Sequence, residues 1–218
     1  MTEAVPADAT YTDGKLYTLA VRLPQGSHTY YYQTTDTTSD AVTTPSAPLY
    51  VADYLFTPTD DAYVRDGTYA SQNYGADPLL EVKSDAVDYK RKSYLKFDFG
   101  AFGGSGASSA KLWLYVTNAG SSTSRTVKLY ATADESWSET ALTWSNAPAG
   151  STLIRQAAMN NGLNKWYSFD VTGYINSQMA DKKVSFLLVN EGAANSQGII
   201  GFASKEAGAN KPQLILAP

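Results

Sequence analysis

The chain of 218 residues has no cysteine and one histidine, and charged residues make up 17% of it. Without cysteine it has no disulfide framework and no thiolate metal site. The lone His28 leaves most of the chain without the base of a Ser-His-Asp triad and supplies too few ligands for a catalytic zinc. Glycoside hydrolysis needs two paired carboxylates, and the sequence pairs none of its candidate acids: Glu135, Glu139, Glu191 and Glu206. We therefore expect a protein that is not an enzyme.

The charge balance and the hydropathy pattern exclude two further classes of partner. The net charge is −4, so a general nucleic-acid or anionic-membrane role has no support. No apolar run approaches the roughly 18–20 residues that span a bilayer, so membrane insertion is not expected. The N-terminal stretch MTEAVPADAT lacks the basic and apolar regions of a signal peptide. If the protein is extracellular, we expect Met1 to begin an expressed fragment.

What the chain does contain is typical of strands joined by turns, with 16 Tyr and 16 Gly beside many Thr, Ser and Val residues. Alternating segments recur after about residue 54: LLEVKS, KSYLKFDFG, AKLWLYVTN, TVKLYATAD, KWYSFDV, KVSFLLVNE, GIIGFAS and PQLILA. These strands predict an all-β fold, an antiparallel β-sandwich of jelly-roll type, over residues 53–218. One short helix is predicted to begin after Asp170 as its N-cap.

Residues 1–52 form a separate predicted segment. The stretch YTDGKLYTLAVRL, a turn at Pro24–Gly26 and HTYYYQTTD predict a short N-terminal β-hairpin, and a further strand is predicted at Leu49 to Asp53. Three strands cannot build a sandwich alone. The segment resembles the C-terminal end of an immunoglobulin-like or fibronectin-like module. We expect either a partial module of that kind or a docked N-terminal extension.

The period-two alternation of the strands separates a core face from an outer face. The core face is aliphatic and aromatic: Leu80, Val82, Leu95, Phe97, Phe99, Leu112, Leu114, Val116, Val127 and Leu129. The outer face combines aromatic rings with lysines, which suits the flat C–H faces and carboxylates of an acidic polysaccharide. Cross-strand Tyr–Lys pairs that only support the sheet remain the other interpretation. The predicted ligand-binding residues combine this outer face with the cations in and near Lys90-Arg91-Lys92. They are Arg65, Lys83, Arg91, Lys92, Tyr94, Lys96, Trp113 and Tyr115.

Several motifs from Tyr54 to Pro218 together resemble the DNRLRE-domain family, which includes alginate-binding carbohydrate-binding modules. They are DAYVRDGTYASQNYG, LEVKS, YLKFDFG, AKLWLYVTN, SWSETALTWSNAPAG, WYSFDVTGY, VSFLLVNE and FASKEAGANKPQLIL. The hexapeptide that names the family does not occur in this chain. The resemblance implies a secreted or cell-surface β-sandwich that binds glycans or serves in surface display. It also favours Trp137 and Trp144 as anchors of a loop, with stacking on a ligand as the other interpretation.

A calcium ion is the one cofactor that the sequence suggests. The stretch TDDAYVRDGTYASQNYGAD offers many oxygen ligands, of the kind that Ca²⁺ takes in sets of six to eight. Asp61 is the predicted ligand, although these Asp and Asn residues are also ordinary turn formers.

The sequence thus predicts a non-catalytic carbohydrate-binding module of an extracellular protein, with an anionic, uronate-containing polysaccharide as its partner. The alternative is a structural module of a cell-surface protein, stalk or filament, which would self-associate through its N-terminal strands.

Overall fold

The computed structural model describes residues 53–122, 125–132, 134–160 and 162–218, together with the backbone of six short strands before Ala52. The chain divides into two compact units, Met1–Ala52 and Asp53–Pro218. The strands of the first unit are β1 (Thr2–Glu3), β2 (Tyr17–Thr18), β3 (Gly26–Tyr30), β4 (Gln33–Thr35), β5 (Ala41–Thr43) and β6 (Ala47–Val51). They pair as β1 with β2, β3 with β6 and β4 with β5, all antiparallel. Most residues of the predicted hairpin, 11–23 with 28–36, lie outside the described residues. The immunoglobulin-like interpretation rests on the same segment and stays a prediction.

Across its described residues, the second unit contains eleven strands, one short 3₁₀ turn and one short helix. The strands are β7 (Tyr54–Phe56), β8 (Asp60–Arg65), β9 (Leu79–Val82), β10 (Arg91–Asp98), β11 (Ser109–Ala119), β12 (Arg125–Thr132), β13 (Gly150–Met159), β14 (Lys165–Asp170), β15 (Lys183–Asn190), β16 (Ile200–Ala203) and β17 (Gln213–Ala217). The 3₁₀ turn is Gly67–Tyr69, and the helix α1 is Thr172–Ser177. All eight strands predicted in this unit are present, whereas β7, β8 and β13 were not predicted. Strand β13 gave no signal because it is mostly exposed at a sheet edge and lacks an alternating buried set.

These strands form two antiparallel sheets that enclose one core, which confirms the predicted all-β sandwich. One sheet has the order β13-β12-β15-β10-β8, and the other has the order β7-β17-β11-β16-β9, with β14 also paired to β11. Asp170 lies just before α1, and its Oδ1 accepts hydrogen bonds from the Thr172 backbone N at 3.0 Å and from Thr172 Oγ1 at 2.7 Å. The N-cap of α1 is nevertheless Val171, so the helix begins one residue later than predicted and Asp170 is the residue before the cap. No helix in the described part of the chain has the length and apolarity to cross a bilayer.

The core between the sheets contains every side chain that the alternation assigned to it, each 0% exposed. Burying one such side chain stabilises the fold by roughly 1.5–3 kcal/mol. Edge-to-face ring contacts add to this, as between Phe97 and Phe186, whose centroids lie 6.1 Å apart. The core face of the sandwich was therefore predictable from the period-two pattern.

A second apolar cluster lies on the outer face of the five-stranded sheet, beneath residues 134–149, here called the cover loop. Its buried members are Ala62, Val64, Tyr94, Trp137, Leu142, Leu187 and Val189. Trp137 is 7% exposed, and its Nε1 donates to Ser185 Oγ at 2.9 Å. The prediction that Trp137 anchors this loop is confirmed. Because the cover loop shields the sheet from water, the outer face of β10 is not the open surface that the alternation implied.

Candidate functional site

A groove at one end of the five-stranded sheet brings together the densest positive charge of the described residues and two aromatic rings. It has a volume of about 420 Å³, within the roughly 300–1,000 Å³ typical of small-ligand sites. This basic groove is lined by Lys83, Lys90, Arg91, Lys92, Tyr130 and Trp144, with Glu191 as its one acidic lining residue. Four cations thus face one carboxylate, in a chain whose net charge is −4.

Strand register explains why these side chains meet. Lys92 at the start of β10 pairs with Val64 of β8, and Ser93 pairs with Leu188 of β15, so β10 begins where β15 ends. Tyr130 of β12 lies opposite Leu187. Lys83, directly after β9, pairs with Arg91 through two backbone hydrogen bonds. The backbone N of Lys90 donates to Asp66 Oδ1 at 2.8 Å, which fixes the approach to β10. The groove is therefore assembled from β10, β12, β15 and the start of β13 in one sheet, together with the neighbouring end of β9 and the cover loop.

Two of the groove cations are already neutralised by neighbouring carboxylates. Lys83 Nζ lies 2.6 Å from Asp85 Oδ2, and this hydrogen bond lowers the pKa of Asp85. Arg91 Nη1 lies 3.1 Å from Glu81 Oε2. Lys90, which is exposed, and Lys92 form no ion pair with any carboxylate of the described residues. The charge free to meet an anionic ligand is therefore carried chiefly by Lys90 and Lys92.

Lys92 is held against an aromatic ring. Its Nζ lies 4.4 Å from the centre of the Trp144 ring, a cation–π contact. Burial lowers the pKa of Lys92, and the positive charge of Lys90 lowers it further. Trp144 itself is half-buried and packs against the second apolar cluster while it lines the groove. Trp144 thus anchors the cover loop, as predicted, and also presents a ring surface to the groove.

Two residues predicted to bind ligand lie in or against the cover loop instead. Tyr94 is 1% exposed, and its hydroxyl donates to Pro148 O at 2.9 Å. Its predicted place on an exposed face is wrong because the cover loop packs over it. Lys96 pairs with Asp60 Oδ2 at 3.2 Å and donates to the backbone carbonyls of Glu135 and Trp137. Lys96 therefore holds the cover loop to the sheet.

The remaining predicted residues lie elsewhere. The Arg65 guanidinium stacks 3.8 Å from the Tyr69 ring centre and does not line the groove. Trp113 and Tyr115 are half-buried on β11, in the six-stranded sheet, where Tyr115 packs edge-to-face on Trp166 with centroids 5.2 Å apart. A single platform containing both Tyr94 and Trp113 does not exist, because β10 and β11 belong to different sheets.

Three carboxylates from distant parts of the chain form a second feature, here called the acidic cluster: Asp61, Glu139 and Glu206. One oxygen from each lies within 4.8 Å of one from each of the others. Asp61 is 0% exposed, and its Oδ2 accepts the Lys205 backbone N at 2.8 Å. Lys205 Nζ pairs with Glu139 Oε1 at 2.8 Å and with Glu206 Oε1 at 2.9 Å. Such a group of oxygens could hold a metal ion.

The environment of Asp61 disfavours its ionised form. Burial raises the pKa of Asp61 to about 8, against the opposing effect of the Lys205 backbone hydrogen bond and with a further rise from the charge of Glu206. The other oxygen-bearing residues of the predicted calcium loop have local partners. Asp77 Oδ1 accepts the Leu79 backbone N at 3.1 Å, and Asn73 Nδ2 donates to Leu142 O at 2.8 Å. They act as turn formers and loop ties, and only Asp61 joins a cluster of acids.

Sequence reasoning found parts of both features and missed their assembly. It named Lys83, Arg91 and Lys92, but it favoured Trp144 as a loop anchor over a ligand contact and did not include it among the ligand-binding residues. It named Asp61, but it could not join it to Glu139 and Glu206, which lie 78 and 145 positions further along the chain. The alternation of TVKLYA did place Tyr130 opposite the core, which was the available signal for that residue.

Comparisons with known proteins agree with a glycan-related module. The chain is 31% identical over 163 residues to a gellan lyase of Bacillus sp.. This match covers 73% of the chain and 6% of that relative, so the chain spans a small part of the relative's length. Carbohydrate-binding module family 96 matches residues 52–218, which is the whole sandwich unit. The chain belongs to carbohydrate-binding module family 96.

Proposed function

We propose that this chain is a non-catalytic module that holds an extracellular protein on an anionic polysaccharide, and that the basic groove is its binding site. The observation that carries this proposal is the position of Lys90 and Lys92. Both lack a carboxylate partner among the described residues, and Lys92 lies against the Trp144 ring. A uronate-containing polysaccharide supplies what this arrangement lacks, namely carboxylates for the ammonium groups and C–H faces for the ring.

The electrostatics favour an anionic ligand over a neutral one. An exposed or half-buried cation stays hydrated until an anion replaces that water, so charge attraction assists a uronate and not a neutral glucan. Arg91 also lines the groove, and its charge adds to the positive potential there although its Nη1 already pairs with Glu81.

The relative supports the same setting. Gellan lyase acts on a polysaccharide, and the chain corresponds to a small part of it. A module that corresponds to a small part of a larger polysaccharide-degrading protein is suited to tethering, which supports an extracellular location. Its resemblance to the DNRLRE-domain family stays a prediction. Self-association through the N-terminal strands also stays a prediction.

Ca²⁺ is the cofactor that this proposal includes, with Asp61 as one ligand. Three converging carboxylates are a hard-oxygen donor set of the kind that calcium prefers. Its place is structural, since the acidic cluster contributes no lining residue to the groove.

Affinity electrophoresis tests the proposal directly. The chain is run through gels that contain alginate, pectate, gellan, chondroitin or a neutral glucan. We expect retardation by the uronate polymers and none by the glucan. The matched variants are Lys92→Met, which keeps the apolar stem and removes the charge, and Lys111→Met, which makes the same change on the other sheet. Retardation that survives Lys92→Met and Trp144→Ala but is lost in Trp113→Ala would move the site to the six-stranded sheet. Retardation by no polymer would overturn the proposal.

A further inference from the structure

The acidic cluster lies where the cover loop meets the sheet and the segment that follows β16. Asp61 belongs to β8, Glu139 to the cover loop, and Glu206 follows β16. The backbone N of Asp61 donates to Glu139 Oε2, and the backbone N of Glu139 donates to Asp60 Oδ1, each at 3.2 Å. The carboxylates therefore sit at a junction of three segments, and Glu139 is the member that belongs to the cover loop.

Two oxygens of this cluster lack hydrogen-bond partners. Within the described residues, no donor reaches the buried Asp61 Oδ1 or the buried Glu206 Oε2. A buried carboxylate oxygen without a partner costs free energy, and native proteins rarely leave one in that state. Asp61 is 0% exposed, so water at the surface does not solvate it. A cation at this point satisfies both oxygens at once, as would a proton shared between Asp61 and Glu206, and the two differ in that only the cation leaves all three carboxylates ionised.

The charge of the cluster indicates what that cation is. If all three carboxylates are ionised, Lys205 neutralises one of them, and a formal charge of −2 remains. One divalent cation balances this charge. The oxygens that already accept hydrogen bonds keep a second lone pair, so Glu139 can contribute a ligand as well. Ca²⁺ suits such a site better than Mg²⁺, which demands a near-ideal octahedron and retains its own water.

We propose that Asp61, Glu139 and Glu206 bind one Ca²⁺ ion, and that this ion fixes the cover loop so that Trp144 stands beside the basic groove. Glu139 is five positions before Trp144 in the same loop. Asn73 Nδ2 donates to the carbonyls of Glu139 and Leu142, and Ser145 N donates to Ala70 O at 3.1 Å, so this half of the loop is tied to the β8–β9 connection on both sides of Trp144. The coupling to glycan rests on the proposed function, whereas the metal site does not.

The first measurement is calorimetric titration of CaCl₂ into the chelator-stripped full chain, without any polysaccharide. We expect binding of one ion per chain, weaker binding of MgCl₂, and a rise in the melting temperature of about 5–10 °C at a hundredfold excess over Kd. Glu206→Gln and Asp61→Asn should each weaken Ca²⁺ binding at least about tenfold. Glu135→Gln, in the same loop but outside the cluster, is the matched control and should bind Ca²⁺ normally. Absence of binding to the unmodified chain, or equal binding by Glu206→Gln, would overturn the site.

The second measurement repeats the polysaccharide retardation with CaCl₂ and with chelator. We expect the chelator to weaken binding of a uronate polymer about three- to tenfold in the unmodified chain and to change nothing in Trp144→Ala. Calcium binding with no polysaccharide retardation under any condition would leave the metal site standing and overturn the proposed function. Retardation that is indifferent to chelator in a chain shown to bind Ca²⁺ would overturn the coupling.

Discussion

The two outer faces of the sandwich begin from the same sequence pattern and end differently. In β10, Lys92, Tyr94 and Lys96 alternate with core residues, as Lys111, Trp113 and Tyr115 do in β11. The cover loop packs over the β10 face, where it buries Tyr94 and leaves Lys92 at the edge of a groove. On the β11 face the aromatic side chains remain half-buried within their own sheet. Alternation thus decides which side chains leave the core, and a distant segment decides whether they reach solvent.

The difference also separates stability from recognition. The covered face behaves as a second small core, because its apolar side chains are shielded from water and Trp137 satisfies its indole N–H on Ser185. Under the proposed function, recognition falls to the margin of that cover, where Trp144 and the lysines without a carboxylate partner meet. We therefore expect substitutions under the cover loop to change the free energy of unfolding, and substitutions at its margin to change binding.

The largest expected effect is on Trp137. Trp137→Ala should lower the free energy of unfolding by about 3–5 kcal/mol, because it leaves a cavity under the cover loop and removes the partner of Ser185. Trp113→Ala, on the half-buried face, should cost about 1 kcal/mol. Urea unfolding followed by circular dichroism measures both changes. Equal losses would show that the two faces do not differ in the way described.

The second prediction concerns Trp144. Trp144→Ala should weaken binding of a uronate polymer by about tenfold, because the loss of a ring contact and of the cation–π partner of Lys92 amounts to roughly 1–2 kcal/mol. Its effect on unfolding should be smaller than that of Trp137→Ala, since Trp144 is only half-buried. Calorimetric titration with uronate oligosaccharides gives the affinity. A loss of stability as large as that of Trp137→Ala, with no change in affinity, would make Trp144 an anchor only.

The third prediction is salt dependence. Raising NaCl from about 0.05 M to about 0.5 M should weaken uronate binding several-fold, because Lys90 and Lys92 act on the ligand largely through screened charge. Lys92→Met should reduce that dependence, whereas Lys111→Met should leave it unchanged. Affinity measured at three salt concentrations provides the slope. Equal slopes in the unmodified chain and in Lys92→Met would remove Lys92 from the binding site.

The sequence alone predicts the features that short-range periodicity controls, such as which side chains of a strand face the core. Leu95, Phe97 and Leu112 were assigned to the core because alternation with a period of two is a property of the strand itself. Tyr94 was misplaced because its burial depends on residues 43 or more positions away, in the cover loop. The acidic cluster was missed for the same reason. Asp61 was identifiable as one oxygen ligand among several, but its convergence with Glu139 and Glu206 depends on the packing of three distant segments.

The smallest expected effect tests where the basic groove ends. Arg65 lies opposite Arg91 in the β8–β10 register, yet its guanidinium stacks on Tyr69 and it is not a lining residue. Arg65→Gln should therefore change uronate affinity less than about twofold, as expected for a charge that acts only through solvent. Arg91→Gln should weaken binding more, because Arg91 lines the groove and Arg65 does not. Calorimetry on both variants measures the contrast. Equal losses would mean that the ligand runs along the strand pair from Arg91 to Arg65, so that the polysaccharide crosses the edge of the sheet and is not confined to the margin of the cover loop.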